Sequence, residues 1–214
     1  ICFASNEDTL TIVDVTNKND INFLSRTSYP GAQYVHQGWL TEDQKHFILD
    51  DELDELSRGN NRPDEARTYV MDLSDLDNPA FKGYHQASGK SIDHNQYIVG
   101  RNSFQANYSE GLRILELGDL SQAEMTEVAY FDTHPNNPAA SNFSGAWNVY
   151  PFFDNGTVLV SDINRGIFIL KPSLPATISI QSYHTGLWFN SEQSGHGLSL
   201  EVLANNSMVV YWYT

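Results

Sequence analysis

Five carboxylates fall within six positions at Asp50, Asp51, Glu52, Asp54 and Glu55. Crowding of this kind repels itself unless a cation or an arginine intervenes, so the run predicts either a Ca2+ site or an acidic rim for a cationic ligand. The alternative is a solvated loop in which Arg58, Arg62 and Arg67 supply the balancing charge. The glycine-centred ligand spacing of an EF-hand is absent, so a calcium ion here would need a different geometry.

The remaining chemistry-bearing residues are more scattered. None of the 7 histidines lies in an HxH or HExxH pair, which makes His46, His85, His134, His184 and His196 ordinary polar residues on spacing alone. No GxSxG elbow occurs, and the serines of NYSEG (107–111) and NFSG (142–145) read as strand-end turns. A single cysteine, Cys2, excludes an intrachain disulfide and a paired-cysteine metal site. With 12 Lys and Arg against 27 Asp and Glu, the net charge of -15 argues against nucleic acid as a partner. No apolar run is long enough to span a bilayer.

The elements that must position these residues form a repeat. LTIVDV from Leu10, TYVMDL from Thr68, LRILEL from Leu112 and IFILKP from Ile167 align with Ile12, Val70, Ile114 and Ile169 equivalent, at spacings of 58, 44 and 55 residues. Upstream of the last three lie HQGWL and FILDDE, HNQYI and FQANYS, and WNVYP and VLVSDI; downstream of the first three lie INFLSRTSY, FKGYHQA and MTEVAYFD. No segment sustains helical periodicity. The unit is therefore four antiparallel strands, and a small sheet with two apolar faces needs neighbouring sheets to cover both, as in a propeller blade. The expected fold is all-β: a β-propeller region over 1–172 with two complete and two partial four-stranded blades, read as a piece of a longer parent. A linker over 173–182 and the start of a second small antiparallel β domain over 183–214 follow.

The repeat register brings distant residues into one frame. His36, His94 and Trp147 occupy the same position of the first strand, and Asp51 and Asp162 are mutually equivalent. If that radius faces the channel, these five form a ring able to hold a metal or a polar ligand; the competing expectation is that the histidines anchor strand ends. Trp39, Tyr97 and Tyr150 are likewise equivalent, and serve either as a sugar-stacking platform or, as blade packing favours, as core.

Taken together, YVHQGWLTEDQKHFILDDELDE, SIDHNQYIVG, QANYSEGLRILEL, EVAYFDT and GAWNVYPFF resemble the LVIVD-repeat proteins of the choice-of-anchor B family over residues 1–172. The resemblance implies a bacterial exported protein with a propeller-like repeat domain, attached to the surface or released according to a variable C-terminal anchor, and it supplies no catalytic residues. The tail, GLWFNSEQSGHGLSLEV with VVYWYT, is similar to a short repeat near the C-terminus of various exported bacterial proteins.

The expected function is a non-enzymatic binding or scaffolding propeller, extracellular or at the cell surface, engaging protein or polysaccharide with bound Ca2+. A rival is a propeller hydrolase or lyase acting on an extracellular polymer, with His36, His94, Asp51 and Asp162 around the channel. A third reading is a structural subunit that self-assembles outside the cell.

Overall fold

A computed structural model describes residues 1–57, 65–136, 140, 142–175, 185–189, 197–203 and 208–213. It is all-β and divides into two compact units, 1–174 and 175–214. The first unit holds four antiparallel sheets, each a meander in chain order. The first comprises β1 (Cys2–Ser5), β2 (Leu10–Asp14) and β3 (Asn22–Thr27). The second comprises β4 (Val35–Leu40), β5 (His46–Asp51), β6 (Arg67–Asp72) and β7 (Ala80–Gln86), with a one-turn helix, α1 (Asp54–Ser57), between β5 and β6. The third is β8 (Asn95–Val99), β9 (Asn102–Asn107), β10 (Gly111–Leu117) and β11 (Met125–Phe131), and the fourth is β12 (Ala146–Tyr150), β13 (Val158–Asp162) and β14 (Gly166–Leu170).

The sheets pack face to face as blades, and period-two alternation along their middle strands sends successive side chains to opposite neighbours. Phe47, Leu49, Tyr69 and Met71 join Leu10, Ile12 and Val35 in a core between the first and second sheets. Ile48 and Val70, the residues in between, face the other way into a core with Ile98, Leu115, Leu117 and Met125 of the third sheet. Leu112 and Ile114 then leave that core for a third one, with Ala146, Val149, Val158 and Val160. Each fully buried aliphatic side chain contributes about 1.5–3 kcal/mol, so the three interfaces are the main cohesion of the unit.

The register carries the repeat more finely than the sequence does. Between the third and fourth strands a bulge falls after Ile12, after Val70 and after Ile114, the positions the sequence aligns. A second bulge recurs on the inner strand, between Val35 and Gly38 and between Ala146 and Asn148. A bulge inserts one residue, increases the twist and re-aims a side chain; here it falls on the segments bearing His36 and Trp147.

The strands β4, β8 and β12 lie next to one another in that order, which makes them the inner strands, and β1, in repeat register with β5, β9 and β13, adjoins β4 as β9 adjoins β12. Short bridges join blade to blade at their ends, Glu7 to Val35 and Tyr108 to Ala146. Gln37 adds a rung: its Nε2 donates to the Gln96 carbonyl at 2.9 Å and its Oε1 accepts from the Gln96 backbone N–H at 2.8 Å.

The second unit is described by one three-stranded antiparallel sheet, β15 (Gly186–Phe189), β16 (Gly197–Val202) and β17 (Met208–Tyr213). Among the described residues no helix is long and apolar enough to cross a membrane.

Candidate functional site at the inner strands

Adjacency of β4, β8 and β12 places three repeat-equivalent side chains in a row. The His36 and His94 rings stack with centroids 4.4 Å apart, and His94 meets the Trp147 indole at 4.3 Å. Tyr108, at the end of β9, closes the group against His94 at 4.9 Å. The carboxylate in this aromatic group is Glu52, just beyond β5, where its backbone N–H donates to the Tyr34 carbonyl at 3.0 Å. Its Oε2 lies 3.4 Å from His36 Nδ1 and its Oε1 3.6 Å from His94 Nε2. The Tyr108 hydroxyl donates to Oε1 at 2.6 Å.

The protonation pattern follows from these contacts. His94 is almost fully buried, and its Nδ1 sits 2.6 Å from the Trp147 carbonyl oxygen, which Asn95 Nδ2 also approaches at 2.9 Å. A carbonyl only accepts, so the Trp147 contact favours a proton on Nδ1, whereas the Asn95 amide nitrogen, 2.7 Å from the same Nδ1, favours a lone pair there. In the tautomer with the proton on Nδ1, Nε2 keeps a lone pair on the side of Glu52. Burial pushes the His94 imidazolium below the usual histidine range, against the Trp147 carbonyl, which favours the charged form; nearby His36 pushes the same way as burial. Burial, and then the Glu52 carboxylate it bonds to, push the Tyr108 phenol well above the usual tyrosine range, so this hydroxyl remains a donor at physiological pH.

Asp51 and Asp162 do not join this group. Asp51 is fully buried at the end of β5 and accepts from the Tyr29 hydroxyl at 2.8 Å and from the backbone N–H groups of Gln33 and Tyr34 at 2.7 and 2.6 Å. It fixes the chain as it enters β4. Asp162 accepts from the backbone N–H groups of Asn164 and Arg165 at 2.8 and 2.9 Å and pairs with His134 Nε2 at 3.1 Å. The four-residue set of His36, His94, Asp51 and Asp162 is therefore split between the inner-strand group and two separate turns.

The acidic run divides: Glu52 turns towards the inner-strand histidines, whereas Asp50, Asp51, Asp54 and Glu55 are buried and all act electrostatically on Asp93. Asp50 accepts from the Gln37 backbone N–H at 3.0 Å and from Gln96 Nε2 at 3.4 Å. Asp54 accepts from the Tyr69 hydroxyl. Asp50, Asp51, Asp54 and Glu55 are all buried, Glu52 alone reaching the inner-strand histidines. Arg58 and Arg62 lie outside the described residues, and Arg67 stacks its guanidinium over the Tyr84 ring at 4.3 Å.

A residue that spacing did not single out is Asp93, directly before His94. It is 3% exposed, and neither of its carboxylate oxygens has a hydrogen-bond partner among the described residues. Burial, followed by the charges of Glu55, Asp50, Asp54 and Asp51, pushes its carboxyl well above the usual range. Tyr108 is another such residue: with Ile48 opposite Val70 and Phe104 opposite Ile114, it stands in the third sheet where Glu52 stands in the second.

The other equivalent set, Trp39, Tyr97 and Tyr150, lies farther along the same inner strands. Trp39 packs edge-on to Tyr97 at 4.9 Å, and Phe152 lies 5.7 Å from each of them and 5.4 Å from Tyr150. Trp39, Tyr150, Phe152 and Phe153 are exposed.

No protein-family model and no curated protein matches the chain. Among solved structures it is similar to a periplasmic gluconolactonase from Pseudomonas aeruginosa, at 11% sequence identity over 99% of this chain and 70% of that chain, with a TM-score of 0.48. A likeness this distant transfers no residue roles, and the site has to be read from its own geometry.

Proposed function

We propose that the chain is a non-enzymatic propeller of the LVIVD-repeat type that binds a polysaccharide outside the cell through its inner strands. The observation that carries this reading is the exposure of aromatic side chains on β4, on β12 and just beyond it, beside a held carboxylate. Trp147 is 47% exposed next to Glu52, and Trp39, Tyr150, Phe152 and Phe153 continue the series along the strands. Rings of this kind stack on the apolar faces of sugars, and a fixed carboxylate accepts from hydroxyl groups. The net charge of -15 disfavours anionic polymers, so a neutral glycan is the expected ligand.

The test is affinity electrophoresis of the chain in gels containing neutral glucans or mannans, with alginate as the anionic control. Retardation by a neutral polymer is expected, with Trp147→Ala and Trp39→Ala each weakening it by about tenfold, equivalent to roughly 1.4 kcal/mol per ring. Equal migration of wild type and both variants in every gel would sink the reading.

A hydrolase or lyase is the second reading, favoured by two imidazoles and one carboxylate sharing a face. It predicts release of reducing ends from the bound polymer, abolished by Glu52→Gln.

A further inference from the structure

We propose that His36, Glu52 and His94 form a binding site for a divalent transition-metal ion of the zinc class, distinct from the calcium expected of the acidic run. The site stands on its own geometry and goes beyond the reading of the chain as a glycan binder.

Three observations support it. The donor atoms His36 Nδ1, one Glu52 oxygen and a His94 nitrogen lie within 4.8 Å of one another. A tetrahedral ion bound at 2.0–2.1 Å holds its donors ~3.3 Å apart, and the separations of 3.4 Å from His36 Nδ1 to Glu52 Oε2 and 3.6 Å from His94 Nε2 to Glu52 Oε1 approach that value. Closing the group around an ion then asks for side-chain adjustment of an ångström or so on the scale of that tetrahedron, not for movement of strands.

The tautomer is also suited to the task. With its proton on Nδ1, facing the Trp147 carbonyl, His94 holds the Nε2 lone pair on the side where Glu52 lies. A hydrogen bond from the far ring nitrogen to a carbonyl is the usual way in which a metal-binding histidine is oriented. Glu52 is oriented in turn by the Tyr108 hydroxyl. Ligands held by such outer contacts lose less freedom when the ion arrives.

The donor set selects the ion. Two imidazoles and one carboxylate suit Zn2+, Co2+, Ni2+ or Cu2+, whereas Ca2+ takes 6–8 oxygens, which this group cannot supply. Three protein ligands leave a fourth position for water or for an oxygen of a ligand. His36 and Glu52 are only partly buried, so that position has a route to solvent.

The experiment uses the untagged chain, stripped with chelator and titrated with Co2+ alone, with the visible absorption of the bound ion as the first readout and equilibrium dialysis as the second. One equivalent of cobalt with a tetrahedral spectrum is expected, displaced by Zn2+ and unaffected by millimolar Ca2+. His36→Ala, at a half-buried position that the fold tolerates, should abolish the band. Tyr108→Phe, which removes only the bond to Glu52, should weaken binding about 10–100-fold. His134→Ala, which breaks the separate pair with Asp162, should leave it unchanged. Absence of stoichiometric Co2+ binding, or binding that survives His36→Ala, overturns the proposal. Because no glycan is present, failure here is separate from failure to bind polysaccharide.

Discussion

Replacing Asp93 with asparagine is expected to stabilise the first unit at neutral pH, and by an amount that grows with pH. Asp93 is buried without a hydrogen-bond partner among the described residues, and its carboxyl is held well above the usual range by burial and by four neighbouring acids. The folded chain therefore keeps a proton that the unfolded chain releases near pH ~3.9. Below that value both states are protonated and Asp93 costs nothing through ionisation. As pH rises, the unfolded state gains from ionising and the folded state does not, so stability falls by about 1.4 kcal/mol per pH unit until the folded-state value is reached. At pH ~7, about three units above the unfolded value, the upper bound is about 4 kcal/mol. Asparagine is neutral throughout and its amide can donate to the neighbouring carboxylates.

The expected gain of Asp93→Asn at neutral pH is about 1–3 kcal/mol, and for a unit of this size each kcal/mol raises the melting temperature by about 2–4 °C. Urea unfolding followed by tryptophan fluorescence at pH 5.5, 6.5 and 7.5 measures it. A gain that is flat with pH, or a variant less stable at every pH, would refute the reasoning. So would a wild type that millimolar Ca2+ stabilises while Asp93→Asn ignores the ion, since the acids would then hold the calcium expected of the run and not a proton.

Asp51→Asn replaces a carboxylate oxygen with an amide that cannot accept from both Gln33 and Tyr34, and should cost about 2–3 kcal/mol in urea unfolding. Gly145→Ala should cost about 3 kcal/mol or more by the same measurement, because Gly145 has φ +118° and a Cβ there would lie 2.1 Å from the Tyr108 carbonyl oxygen, forcing β12 away from the third sheet. Ile114 and Ile169 share a repeat position but are 1% and 74% exposed, so Ile114→Ala should cost about 2–5 kcal/mol and Ile169→Ala about 0.5 kcal/mol or less.

Much of the fold was legible because strand and blade obey local rules. LTIVDV, TYVMDL and LRILEL read as strands from β-branched and aliphatic residues, and they became β2, β6 and β10 with the same bulge in each. Turn chemistry was local too: Asp14, Asp72 and Asp119 each accept from the backbone N–H two residues on, at Thr16, Ser74 and Ser121. The site was legible only in part. Self-alignment brought His36, His94 and Trp147 to one radius, yet it could not tell that Asp51 turns back on its own blade, since that depends on where the N–H groups of Gln33 and Tyr34 point. Nor could it foresee His134 pairing with Asp162, because the two lie in different segments of the repeat and meet only through packing. Asp93 was hidden for a similar reason: an aspartate in SIDHNQ reads as a turn residue, and its burial arises from the neighbouring blade.

The distribution of residues over the repeat explains why, among the described residues, the proposed metal-binding group forms at one junction of the blades. The fold requires the same shape in every blade, and the aliphatic positions keep it. The chemistry instead sits where the blades differ. The position of Glu52 is tyrosine at 108, which turns a hydroxyl towards Glu52 of the neighbouring blade. The same position is Glu7 in the first sheet and isoleucine at 163 in the fourth, and Glu52 is the carboxylate that lies beside two imidazoles. The position of His36 and His94 is tryptophan at 147, which contributes its carbonyl to His94 in place of a third imidazole. Among the described residues, two imidazoles, one carboxylate and one hydroxyl thus meet at the junction of the second, third and fourth sheets. A ring built of identical blades would distribute such groups evenly and concentrate none of them, and for that reason one ion at this junction is the stoichiometry expected of the described residues.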